Sequence, residues 1–286
     1  MKKVFWGACC SLLIVRVVFA QISASDQSWQ QDVTYKIDVK LDTTVKALSG
    51  SLDITYKNNS PDTLRKIYLQ VPANAFHNKE NTAVKEMKRF SGGNIDFDEE
   101  RDFKLTIMSL QFLSVGNETS FPLQAYDFSD TILDLTLPHI LSPGDTLKVR
   151  LIFRQDFSEA GKIGKRMPSD FILWFPQLSV YDEDGWHPEP FHFMMQPGDI
   201  YTEFANMDVS ITVPGNYIVV APGKLVQGDP GWQSASLDTS DAKQSFVAKH
   251  DSLKKLLKQQ ALQTGPRKVR FQMKHLQNFI WSASPD

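Results

Sequence analysis

Val33-Thr34-Tyr35-Lys36-Ile37-Asp38-Val39-Lys40-Leu41 alternates apolar and polar residues without a break. Successive side chains of an extended chain point to opposite faces, so this stretch predicts a strand with one face on a core and one in water. A turn over 42–47 follows, and then Leu52, Ile54 and Tyr56 resume the same period. Asn58-Asn59-Ser60-Pro61-Asp62 is dense turn chemistry and ends the second strand.

The pattern continues outward. Further strands are predicted over 66–71, 103–110, 131–137, 146–153, 207–213 and 217–221, with final ones around 269–273 and 279–284. Ser142-Pro143-Gly144-Asp145, Pro214-Gly215-Asn216 and Pro222-Gly223 separate them. Short strands at regular intervals between Pro/Gly/Asn clusters predict an all-β fold, a saddle-like β-sandwich of mostly antiparallel strands. One or two short helices are expected. Leu253, Leu256 and Leu257 recur at helical spacing over 251–262, with Asp251 or Ser252 as cap and Gly265-Pro266 as stop. A weaker helical stretch covers 74–87 and lacks a firm apolar stripe.

The amino-terminal end reads as an address. Lys2 and Lys3 precede an apolar run from Val4 to Phe19 that is broken by Arg16, and Val18-Phe19-Ala20 leads into polar Gln21. That order predicts a secretory signal cleaved after Ala20, followed by one β domain over 21–286. The run is shorter than the roughly 20 residues a membrane span needs. Cleavage removes three of the 31 basic residues and both cysteines, Cys9 and Cys10, leaving 28 basic against 33 acidic residues and a net charge of −5. An exported chain without disulfides fits a bacterial envelope, so the expected location is the periplasm or the extracellular space. The charge balance gives no basic footprint for nucleic acid. No membrane span is expected after cleavage.

Motifs that would carry chemistry are sparse. There is no Gly-rich phosphate loop and no G-x-S-x-G elbow. His187-Pro188-Glu189-Pro190-Phe191-His192 places two imidazoles and a carboxylate close in sequence. Pro188 and Pro190 forbid the helix that would put both histidines on one face, so an aromatic-rich loop with partly solvated histidines is favoured over a metal site. Asp182-Glu183-Asp184-Gly185 lacks the later ligands of a calcium loop and predicts an acidic β-turn with Gly185 in the left-handed region. Trp174, Phe175, Tyr181, Trp186, Phe191 and Phe193 crowd into twenty residues, either as core or as the lining of a groove.

Several segments, in order, resemble one family. They are Trp29-Gln30-Gln31-Asp32-Val33-Thr34-Tyr35, Leu48-Ser49-Gly50, Ile54 through Leu64, and Leu69 through Phe76. Trp174-Phe175-Pro176-Gln177-Leu178-Ser179-Val180-Tyr181-Asp182 with Gly185-Trp186 follows, then Glu203-Phe204 through Val213-Pro214-Gly215 and the end from Leu276 to Asp286. Together they resemble the N-terminal domain of the aminopeptidase-N-like zinc metallopeptidases, the gluzincins of peptidase family M-one, in their secreted bacterial form. The resemblance implies a β domain beside a thermolysin-like catalytic domain that carries an H-E-x-x-H zinc helix and a G-x-M-E-N loop. Neither motif occurs in these 286 residues. No catalytic residue, metal ligand or cofactor is therefore assigned to this chain. Zinc is implied only for the catalytic domain, and the chain alone is expected not to hydrolyse peptides.

The role so implied is to cover the substrate groove and to pack on a catalytic domain, in cis or in trans, with peptides as substrates of the complete enzyme. In the family a Gln or Glu of this domain can touch the substrate's amino group, and by position that role falls to Gln177. The alternative is a free-standing exported β-sandwich that binds or scaffolds. The first reading predicts an exposed apolar face, and the second a covered C-terminal strand over 279–284.

Overall fold

The alternation of 33–41 is realised as a strand whose Val33, Tyr35, Ile37, Val39 and Leu41 are buried and whose Lys36, Asp38 and Lys40 are exposed. The computed structural model describes residues 29–93, 104–114, 117–121, 127–157, 170–193, 201–232 and 265–285, with six helical residues in 251–259. The signal segment with Ala20 lies outside them. In chain order the strands are β1 (Asp32–Asp42), β2 (Ala47–Lys57), β3 (Leu64–Gln70), β4 (Lys104–Ser114), β5 (Asn117–Phe121), β6 (Asp127–Ser129), β7 (Ile132–Leu141) and β8 (Thr146–Asp156). Then come β9 (Asp170–Phe171), β10 (Gln177–Leu178), β11 (Tyr181–Asp182), β12 (Gly185–Trp186), β13 (Ala205–Val213), β14 (Ile218–Val220), β15 (Lys224–Gln227), β16 (Arg267–Leu276) and β17 (Trp281–Ser284).

Eight strands form the main sheet in the order β15-β16-β13-β1-β2-β8-β4-β5. Smaller sheets run β10-β3-β7-β6 and β14-β17-β9, and β11 and β12 make a hairpin. Every pairing is antiparallel except β1 with β13, where Val33 to Lys40 run beside Ala205 to Thr212. One core cluster joins the inner face of the main sheet to both smaller sheets, through Tyr35, Ile54, Leu151 and Val209 on one side and Ile67, Leu69, Leu135 and Trp281 on the other. The molecule is an all-β sandwich.

The outer face of the main sheet is polar for a physical reason. Several of its solvent-facing positions are joined by charge pairs across neighbouring strands. Arg150 on β8 forks onto Asp53 directly opposite on β2, at 2.6 and 3.0 Å. Arg270 on β16 forks onto Asp208 on β13, with Nε at 2.6 Å, and Lys268 reaches Asp38 at 2.6 Å. Such solvent-screened pairs add little to stability and mainly keep that face hydrated. Gly50 is required where β2 crosses close to β1. A Cβ there would sit 2.5 Å from Val39 Cγ1 and 2.6 Å from the Asp38 carbonyl oxygen.

The helical stretch over 74–87 is corrected. A 3-10 turn over Pro72–Asn74 ends first, and a separate helix α1 spans Thr82–Phe90. Two buried asparagines divide them by drawing the backbone into side-chain bonds. Asn74 donates to the Leu105 carbonyl at 3.1 Å and accepts from the Leu105 amide at 2.7 Å. Asn81 donates to the Asn74 carbonyl at 2.8 Å. The first amide of α1, that of Thr82, is satisfied by Asp130 Oδ2 at 2.7 Å, a cap supplied 48 residues away in sequence. Of the helix read over 251–262, Asp251, Ser252, Lys254, Lys255, Lys258 and Gln259 are helical, while the leucines lie outside the described residues.

Candidate functional site

The short strands that follow β9 position most of the candidate side chains. Trp174 is buried and donates its indole N–H to the Phe279 carbonyl at 2.7 Å. Phe175 packs edge-on against Tyr35, whose hydroxyl accepts the Leu178 amide at 2.8 Å. Those bonds tie β10 to the centre of β1 and fix where the chain leaves the core. Ser179 then bridges to Thr202, and the Glu203 amide donates to the Leu178 carbonyl at 3.2 Å.

The acidic turn behaves as its sequence predicts. Tyr181 pairs with Trp186 and Asp182 with Gly185, whose φ of +99° is the left-handed conformation glycine tolerates. Asp182 Oδ1 accepts from the Asp184 amide at 3.0 Å and meets His187 Nε2 at 2.8 Å, and Oδ2 accepts the Tyr201 hydroxyl at 3.2 Å. Burial works to raise the Asp182 carboxyl, but the His187 and Asp184 bonds outweigh it and hold it below the usual carboxylate range.

His187 and His192 are engaged separately. His192 Nδ1 lies 2.7 Å from Glu86 Oε1 on α1, and Glu86 Oε2 accepts the Phe193 amide at 2.9 Å. Each imidazole therefore faces its own carboxylate. Among the described residues no group of three or more His, Cys, Asp or Glu is placed to hold a metal ion. The crowded aromatics divide. Trp174, Phe175 and Phe191 are buried, while Trp186 sits half-buried among Tyr56, Tyr68 and Tyr181 at ring distances of 6.2, 5.7 and 5.1 Å. Tyr181 alone of that crowd lines the adjoining cleft.

That cleft, of about 490 Å³, is lined by Trp29, Tyr181, Asp182, Tyr201, Thr202 and Glu203 among others. Trp29 stacks on Tyr181 at 5.8 Å, and Tyr181 anchors the Asn58–Asp62 turn by donating to Asp62 Oδ2 at 2.9 Å. Burial, then the Asp62 bond and charge, push the Tyr181 hydroxyl up to about 12. Glu203 is only 3% exposed, and Oε1 accepts the Tyr181 amide at 3.2 Å. Burial pushes its carboxyl up to about 7, with the Tyr181 amide opposing and the Asp182 charge adding. A buried acid titrating near neutrality beside aromatic walls is the most chemically poised group described here.

Gln177 sits elsewhere. It is 1% exposed on β10, opposite Gln70, and is not among the residues lining the cleft. Its Nε2 donates to Asn278 Oδ1 at 3.1 Å, and its Oε1 has no hydrogen-bond partner among the described residues. Sequence reasoning gave no role to Glu203. A single glutamate between Thr202 and Phe204 carries no signal of burial, and the amide that holds its carboxylate, that of Tyr181, lies 22 positions away in sequence.

No protein-family model matches the chain, and no curated protein matches it. Among solved structures it is similar to an M1 zinc metallopeptidase from Deinococcus radiodurans, at 14% identity and a TM-score of 0.43. A Glu-to-Ala mutant of the Deinococcus radiodurans metallopeptidase gives 15% identity and a TM-score of 0.42. The mutant bound to a Tyr-Ser-Ala substrate gives 14% and 0.42. In each case the similarity covers 88% of this chain and 42% of the other, so the chain spans less than half the length of those structures.

Proposed function

We propose that this chain is the non-catalytic N-terminal domain of an exported zinc metallopeptidase of aminopeptidase type. In this role it packs on a catalytic domain, in cis or in trans, and covers the peptide groove. The observation that carries the reading is an apolar patch beside the C-terminal strand. In the β14-β17-β9 sheet, Val219, Trp281, Ala283 and Phe171 point into the core. Val220 at the end of β14, and Ile280 and Ile172 immediately beside β17 and β9, are by contrast 58, 47 and 51% exposed. Large aliphatic side chains left in water around one small sheet are what a partner domain would cover. The segments that resemble the family also converge, with Trp29, the Asn58–Asp62 turn, Tyr181 and Glu203 in one connected cluster.

Within this reading zinc belongs to the catalytic domain. The substrate contact falls to Gln177 by position alone; its Oε1 is a buried acceptor, so that contact requires the side chain to turn outward from where it lies. One observation favours a free-standing binding module instead. β17 is paired on both sides, by β14 and β9, and Phe279 and Trp281 are buried, so that strand is not a raw edge. The intact mass of the mature protein from its native source separates the two. A mass well above that of residues 21–286 is expected and means a further domain follows. A mass equal to that segment rules out the arrangement in cis, and absence of any co-purifying metallopeptidase from the same source then overturns the metallopeptidase reading and leaves the module alone.

A further inference from the structure

The cleft of Trp29, Tyr181, Tyr201, Asp182 and Glu203 has a chemistry of its own, independent of any catalytic domain. We propose that it binds an organic cation, an alkylammonium or guanidinium group, which ion-pairs with Glu203 and lies against the aromatic walls. Four observations point there. The volume of about 490 Å³ suits a small ligand or a single side chain. Trp29, Tyr181 and Tyr201 supply ring surface, which attracts a cation through the negative face of the π-system.

The third observation is the distribution of charge. Asp182 is already satisfied by His187, Tyr201 and the Asp184 amide. Glu203 is nearly as buried as a core residue yet receives, among the described residues, one side-chain hydrogen bond, from the Tyr181 amide. The described groups that act on Glu203 or feel its charge are Asp182, Tyr35, Tyr56 and Tyr201, none of them cationic. A buried carboxylate in such company favours a positive ligand, because only a counter-charge offsets its loss of water. The fourth is Thr202 in the same wall, whose Oγ1 is buried without a hydrogen-bond partner among the described residues. A neutral ligand of the same size would leave Glu203 uncompensated.

The test is calorimetric titration of the full chain with n-butylammonium, methylguanidinium and tetramethylammonium, with 1-butanol as the neutral control. Saturable binding of at least one cation and none of butanol is expected. Glu203→Gln should weaken binding about tenfold near pH 8, and Trp29→Leu, which leaves the acid in place, about threefold. Affinity of the parent chain should fall about tenfold between about pH 8 and about pH 5 as Glu203 takes up its proton, and Glu203→Gln should lose that dependence. An acetylated and amidated Gly-Lys-Gly peptide identifies the source. Tighter binding than butylammonium means a lysine side chain of a peptide, and weaker binding means a free amine. Absence of heat with every cation, equal affinity for butanol, or unchanged affinity in both variants overturns the proposal.

Discussion

At the scale of single residues, Glu203 is where folding and chemistry disagree. A carboxyl raised to about 7 binds more protons in the folded than in the unfolded chain across the window from its ordinary value up to about 7. Stability therefore declines as pH rises through that window, because the folded state must then hold a buried charge. Glu203→Gln removes the titration. Melting curves of parent and variant at about pH 5 and about pH 8 should show the parent losing on the order of 2 kcal/mol more than the variant. Equal losses would mean that water already reaches the carboxylate. The identity of Glu203 was plain in the sequence, but its burial was not, since the Tyr181 amide and Asp182 arrive from a hairpin about twenty residues earlier. Gly185 is the opposite case. Its acidic neighbours and its own lack of a Cβ announce the turn locally, and it folds as read.

At the scale of elements, the strands with strict alternation were legible and the two-residue strands were not. Strands β1, β2, β8 and β13 each bury one face, so the period-two signal is clean over nine to eleven residues. Strands β9 to β12 have two residues each; β9 and β10 are held by the longer β17 and β3, while β11 and β12 pair with each other across the Gly185 turn. Strand β17 is also short, yet it anchors much of the core's edge. Trp281 stacks on Phe171 at 4.0 Å and meets Trp174 edge-on at 6.0 Å. Trp281→Ala should destabilise the fold by about 3–5 kcal/mol in denaturant melts, the usual cost of emptying a buried aromatic site. A change below about 1 kcal/mol would show that the β14-β17-β9 sheet is dispensable to the core.

At the scale of the whole molecule, the described residues include cross-strand charge pairs on the outer side of the main sheet. They also include exposed aliphatic side chains beside the β14-β17-β9 sheet, those of Ile172, Val220 and Ile280. A triple change of those residues to lysine should leave the circular dichroism spectrum unchanged, because none of them is in the core, and should make the isolated chain more soluble. Loss of the folded spectrum would mean the face is structural after all. The sequence by itself determined the period of each long strand, the turns between them and hence the all-β class, because those depend on residues only one to four positions apart. Only the tertiary structure decided that β1 lies parallel to β13 across more than 160 residues, that Asp130 caps α1, and that Trp29, Tyr181, Tyr201 and Glu203 share a cleft. Those relations are set by packing on a common core, where distance along the chain carries no information about distance in space.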